Sequence, residues 1–144
     1  MTHLIILAHA PLAQALAQVA AHAFSEAPER LTAIDVSPTD SSEQVQRRLQ
    51  SSLAPGENLI LTDAQGATPC NAACKVADGV RIRVVAGVSV PMLWRCLGYA
   101  HENLQHLVAR ALDGGRNGVR EPDPTREPRT PLEPDHDQDA VGDQ

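Results

Sequence analysis

The chain has 144 residues, of which 12 are Lys or Arg and 18 are Asp or Glu, for a formal net charge of −6. That length fits one domain of ordinary size. Residues 121–144 carry eight acids and two bases, so the first 120 residues hold ten of each and are electrically balanced. A balanced body lacks the basic face that drives nucleic-acid binding. Three aromatics, Phe24, Trp94 and Tyr99, are too few for a base-stacking platform. The apolar run at residues 4–8 is too short to be membrane-embedded, and no Lys or Arg precedes it as in a signal peptide. The expected compartment is therefore the cytoplasm. Three cysteines, Cys70, Cys74 and Cys96, suggest no disulfide framework.

The elements alternate in type along the chain. Residues 3–8 are an apolar run of strand length. Residues 11–24 place Leu12, Leu16, Val19, Ala20 and Ala23 at helical spacing, and Pro11 suits the first helical position. Residues 31–36 read as a second strand. Asp40-Ser41-Ser42-Glu43 is a helix-capping signal, followed by Val45, Leu49 and Leu53 on one helical stripe. Pro55-Gly56 stops that helix, and residues 58–62 form a third strand. Residues 69–77 are a short helix closed by Asp78-Gly79. Residues 82–86 are a fourth strand, and residues 91–97 start another helix. Leu104, Leu107, Val108, Ala111 and Leu112 make the strongest amphipathic pattern, with Gly114-Gly115 as its expected end. Five of the eleven prolines fall in 121–144, where Leu132 and Val141 are the only large apolar residues. A segment with so little to bury is expected to be disordered. The expected domain is thus 1–120, with 121–144 as an acidic, Pro-rich tail.

The order βαβαβαβαα calls for an α/β fold with an open, mostly parallel sheet and helices on both faces. Right-handed crossovers favour strand order 2-1-3-4. In that order the winding reverses between strands 1 and 3, and ligands of open α/β sheets bind at such a crevice. His9 stands just after strand 1, and Asp63 just after strand 3. A carboxylate that accepts one ring N–H fixes the imidazole tautomer and leaves the other nitrogen unprotonated and nucleophilic. The plainer alternative is a loop His and a loop Asp that cap helices. Thr68-Pro69 opens the next helix. Its hydroxyl, with the backbone N–H groups of Cys70 and Asn71, makes an expected cradle for a phosphoryl group, and Thr68 also suits a simple N-cap.

Competing patterns are weaker. Neither a dinucleotide G-x-G-x-x-G nor a G-x-x-x-x-G-K-[ST] loop is present. A receiver-type phosphoacceptor could use Asp63, but it needs acids after strand 1, where His9 stands. Cys70 and Cys74 lack a second ligand pair for zinc and read as buried helix residues. His101 and His106 read as surface residues.

Four pieces together resemble the enzyme IIA component of the mannose-family sugar phosphotransferase system, over roughly residues 1–119. They are the strand ending in His9; Asp63-x-x-Gly66-x-Thr68-Pro69-x-Asn71-Ala72-Ala73; Ala86-Gly87-Val88-x-Val90-Pro91-Met92-Leu93; and Gly115-Arg116-x-Gly118-Val119. The resemblance implies a phosphotransferase in which His9 accepts a phosphoryl group from the phosphocarrier protein HPr and passes it to a IIB domain. It implies that Asp63 bonds that histidine and that Thr68 lies beside the phosphoryl group. It further implies a homodimer with a strand swapped across the edge, and no cofactor or metal. Ala10 and Ala67 stand where the family usually has Gly, Ser89 where Asn is common, and Cys70 where an aromatic is common. No IIB domain follows, so the acceptor is expected on another polypeptide. The alternative function is a regulatory module that senses phosphorylation state without sugar transport.

Overall fold

The computed structural model describes residues 1–127. Within them the order is β1 (His3–His9), α1 (Leu12–Ala23), α2 (Ala27–Arg30), β2 (Leu31–Val36), α3 (Ser42–Ser52) and β3 (Asn58–Thr62). There follow α4 (Thr68–Val76), β4 (Ile82–Ala86), α5 (Val90–Gly98) and α6 (Leu104–Asn117). The four strands form one sheet in the order β2-β1-β3-β4, and every pairing is parallel. The α/β class and the strand order are as expected, and the sheet is parallel throughout. The single turn α2 has no counterpart in the sequence reading.

Strand character follows position in the sheet. The inner strands are covered on both faces, so Leu4 to Ala8 of β1 and all of β3 are buried. The outer strands β2 and β4 are only partly buried. One face packs Leu4, Ile6 and Ala8 against Leu16 and Ala20 of α1, Leu93 and Cys96 of α5, and Leu107 and Ala111 of α6. The other packs Ile5, Leu7 and Ile60 against Val45 and Leu49 of α3 and Ala72 and Ala73 of α4. The alternation of β1 sets these two faces.

Helix ends differ from expectation at several places. Pro11 is the N-cap of α1 and not its first helical residue. The α3 capping box is made by Ser41 and Gln44, one residue later than the Asp40–Glu43 pair. Leu53 is the C-cap of α3, and it packs partly buried against the same core as Val45 and Leu49. Gly114-Gly115 does not end α6, which continues to Asn117. The physical reason is packing. A Cβ on Gly114 would stand 2.8 Å from Arg95 Cβ and 3.2 Å from Met92 Cα and the Pro91 carbonyl. Gly114 lets α6 approach the α5 backbone, Gly115 makes room for the Met92 side chain, and the ~1 kcal/mol cost of Gly in a helix is smaller than the overlap a methyl group at Gly114 would cause. Residues 121–127 are exposed and form neither helix nor strand, and the remainder of the expected tail lies outside the described residues.

Candidate functional site

β1 ends at His9, and β3 ends at Thr62, one residue before Asp63. Connections from β1 to β2 and from β2 to β3 run to opposite sides of β1, so the reversal of winding falls between β1 and β3. The two residues meet there. Asp63 Oδ2 lies 2.6 Å from His9 Nδ1 and accepts the His9 backbone N–H at 2.9 Å. Asp63 Oδ1 accepts the Ala64 N–H at 2.8 Å. An ionised carboxylate can only accept, so Nδ1 is the donor, and in the neutral ring Nε2 is the nitrogen left with a lone pair. The His9 side chain is 51% exposed while that of Asp63 is 15% exposed. The orienting group is shielded and the ring faces outward.

Burial pushes the Asp63 carboxyl up, but the bonds from the His9 amide, the His9 ring and the Ala64 amide, with the His9 charge, outweigh it. The net shift is below the ordinary value of 3.8, so Asp63 is a firmly ionised partner. Its loop is held from the far side as well. The Asp63 and Thr62 carbonyls accept the Gly87 and Val88 N–H groups, each at 2.9 Å. Gly66 and Gly87 have φ of +89° and +90°, a region where side-chain-bearing residues are strained.

Four helices begin at this end of the sheet, and their N-termini are treated differently. Ser41 Oγ accepts the Gln44 N–H of α3 at 3.2 Å, and Ser89 Oγ accepts the Met92 N–H of α5 at 3.3 Å. Asp35 Oδ1 accepts two N–H groups of α1, from Ala13 at 3.0 Å and Gln14 at 3.3 Å. The N-cap of α4 is Ala67, and no side chain caps it. Thr68 is therefore the first helical residue and not the cap, and its hydroxyl makes no hydrogen bond among the described residues. Asn71 differs from expectation. Its N–H is bonded to the Ala67 carbonyl at 2.9 Å and its side chain donates to the Gly66 carbonyl at 3.1 Å. The first is the opening bond of the α4 ladder, and the second braces the loop. The N–H groups left without a helical acceptor are those of Thr68 and Cys70, since Pro69 has none.

Cys70 is buried as expected, but Cys74 is exposed, because α4 turns that position outward. Burial and the neighbouring Cys70 thiol push the Cys74 thiol up, and burial pushes Cys96 up to about 12. Neither is poised as a nucleophile. His101 and His106 are exposed. Among the described residues no group of three or more His, Cys, Asp or Glu could hold a metal ion. No described helix is long and apolar enough to cross a membrane.

Sequence reasoning missed Asp35. Its signal was present: one carboxylate inside the otherwise uncharged strand Leu-Thr-Ala-Ile-Asp-Val. Lone acids in such strands need a partner. The partner here is an N-terminus 22 residues away, which spacing does not reveal.

The family model described as PTS system fructose IIA component matches residues 3–112. No curated protein matches the chain. Among solved structures, the chain is similar to the mannose/sorbose-specific IIA subunit of the phosphotransferase system from Enterococcus faecalis. The TM-score is 0.79 at 24% identity, covering 88% of this chain and 98% of that one. It is also similar to the phosphotransferase component EIIA from Streptococcus agalactiae, with TM-score 0.76, 24% identity and coverage of 84% and 97%. A sigma-54 interaction domain protein from Enterococcus faecalis shares the fold at TM-score 0.65 and 15% identity, covering 83% and 93%. These likenesses show a common fold, and the family model spans β1 through most of α6, including both His9 and Asp63. The chain thus belongs to the mannose/fructose-type IIA components of the phosphotransferase system.

Proposed function

We propose that the chain is a phosphoryl carrier that uses His9 Nε2. Family membership supports a phosphotransfer role in the phosphotransferase system. The observation that carries the finer reading is the 2.6 Å contact between Asp63 Oδ2 and His9 Nδ1 on a ring whose side chain is 51% exposed. The lone pair on Nε2 attacks the phosphorus of a phosphohistidine on HPr. The donor's N–P bond breaks, its electron pair returns to the donor imidazole, and a new N–P bond forms on His9. The Nδ1 proton stays between ring and carboxylate, so positive charge that develops on His9 faces Asp63. Passage to the IIB component is the same step with His9 as donor.

The arriving group carries negative charge. The uncapped start of α4, with the N–H groups of Thr68 and Cys70 and the free Thr68 hydroxyl, is suited to receive it. Asn71 shapes the loop through Gly66 and supports the site indirectly. The reaction needs no cofactor in this scheme. The partners are HPr and a separate IIB component, in the cytoplasm. Pairing into a homodimer is supported by two features: β4 is an outer strand, and Val119, just after α6, is 84% exposed.

The test is incubation with enzyme I, HPr and phosphoenolpyruvate, followed by intact mass. One added phosphoryl group that is labile in acid and stable in base supports the reading. A chain that stays unmodified overturns it and leaves the regulatory alternative, a module that reads phosphorylation through protein contacts.

A further inference from the structure

The end of β1 that carries His9, with the loop after it, is gripped from both neighbouring strands. On the β3 side, Asp63 Oδ2 holds the His9 amide at 2.9 Å and the ring at 2.6 Å. On the β2 side, the Val36 carbonyl accepts the Ala10 N–H at 2.9 Å. Next to it, Asp35 Oδ1 accepts the Ala13 and Gln14 amides at the start of α1, at 3.0 and 3.3 Å. Gln14 adds a bond from its side-chain amide to the Ala33 carbonyl at 3.2 Å. The loop between β1 and α1 is only Ala10-Pro11, and Pro11 has no side-chain acceptor to offer. The position of α1 therefore sets the far end of a two-residue tether whose near end is His9.

Asp35 is in turn fixed. The Arg48 guanidinium donates to the Asp35 carbonyl at 2.9 Å and to the Asp40 carboxylate at 3.2 Å. Asp40 accepts the Ser37 N–H at 2.8 Å. The end of β2 is thereby tied to α3, and its carboxylate is presented to α1 from a rigid element.

We propose that Asp35 is a second positioning residue for transfer at His9, acting through α1 as the opposite arm to Asp63. Its carboxylate does not reach the reacting atoms. It holds the first turn of α1 so that the short loop keeps the His9 ring on Asp63. Because its charge also fills the positive end of α1, that N-terminus takes no second anion. The proposal rests on His9 as the phosphoryl acceptor for its kinetic consequence, but not for its effect on the ring.

The experiment compares the full chain with Asp35→Ala, Asp35→Asn and Asp35→Glu. The first readout is proton NMR of the low-field Nδ1–H of His9, which reports the bond to Asp63. The second is the rate of phosphoryl transfer from phospho-HPr. In Asp35→Ala the resonance broadens or vanishes and transfer slows about tenfold, as expected for a displaced reacting ring. Asp35→Asn keeps an acceptor oxygen, so it retains the resonance and restores most of the rate. Asp35→Glu keeps the charge but moves the oxygens by one methylene, and it behaves like Asp35→Ala while keeping the fold. If Asp35→Ala fails to fold, Asp35→Glu decides. A resonance unchanged in both Asp35→Ala and Asp35→Glu overturns the proposal, because Asp35 then only caps a helix. If the parent chain accepts no phosphoryl group, the proposed function fails, while the resonance still decides whether Asp35 positions the ring.

Discussion

Helices α1 and α4 both begin at the crevice end of the sheet, and their first turns are opposites. That of α1 is filled by a carboxylate from β2, with two N–H groups bonded to Asp35. That of α4 has no side-chain cap and presents Thr68 and the Cys70 N–H. The same backbone chemistry is silenced in one helix and left available in the other. The first serves placement: a helix clamped to the sheet holds a two-residue loop still. The second suits reception of an anion. The difference teaches that a helix start is informative only when the groups that could cap it have been located, since three of the four starts at this end are satisfied internally.

The largest expected effect removes the acceptor itself. His9→Ala abolishes phosphoryl uptake from HPr, read by intact mass, because among the described residues no other histidine sits at the β1–β3 crevice. Next is Asp63→Asn, which keeps the shape but can present a donor to Nδ1. Transfer falls about a hundredfold by quench-flow, with circular dichroism unchanged. Transfer at the parent rate would reduce Asp63 to a loop residue.

The contrast between helix starts is sharpened by a pair of variants. Thr68→Val removes the free hydroxyl at the start of α4 and lowers transfer about tenfold, a single lost hydrogen bond to a charged group. Ser41→Ala removes the true cap of α3 and lowers stability by about 1 kcal/mol without slowing transfer. Equal kinetic effects from the two would break the distinction. The smallest effect is on acid stability. The Asp63 carboxyl is held below its ordinary 3.8, so its stabilising contribution is complete above that value and is lost as pH falls through the lower folded one. Urea unfolding of the parent should lose stability more steeply below about pH 4 than Asp63→Asn does.

Much of this was legible in the chain because it depends on local pattern. Fully apolar runs at residues 4–8 and 59–61 mark strands buried on both faces, and their alternation with amphipathic helices dictates a parallel sheet. Once the order is 2-1-3-4, His9 and Asp63 fall at the crevice by topology alone. The misses concern long-range contacts. Gly114-Gly115 looks like a helix stop because local sequence cannot show Met92 and Arg95 lying against it. Thr68 looks like an N-cap, and the cap moved to Ala67 because Pro69 suits the second helical position as well as the first. Asn71 looks like part of an anion cradle, yet its backbone N–H opens the α4 ladder at Ala67 and its side-chain amide goes to the Gly66 carbonyl. Asp35 went unnoticed because its partner lies on another element.

The central claim is that Asp63 holds Nδ1 and leaves Nε2 to carry the phosphoryl group. Phosphorus and nitrogen NMR on the chain phosphorylated through HPr tests it most directly, because the two ring isomers of phosphohistidine give distinct couplings. The account predicts one phosphorylated residue, His9, with the N–P bond at Nε2 and the Nδ1 proton retained. A bond at Nδ1, or on any other histidine, would contradict it.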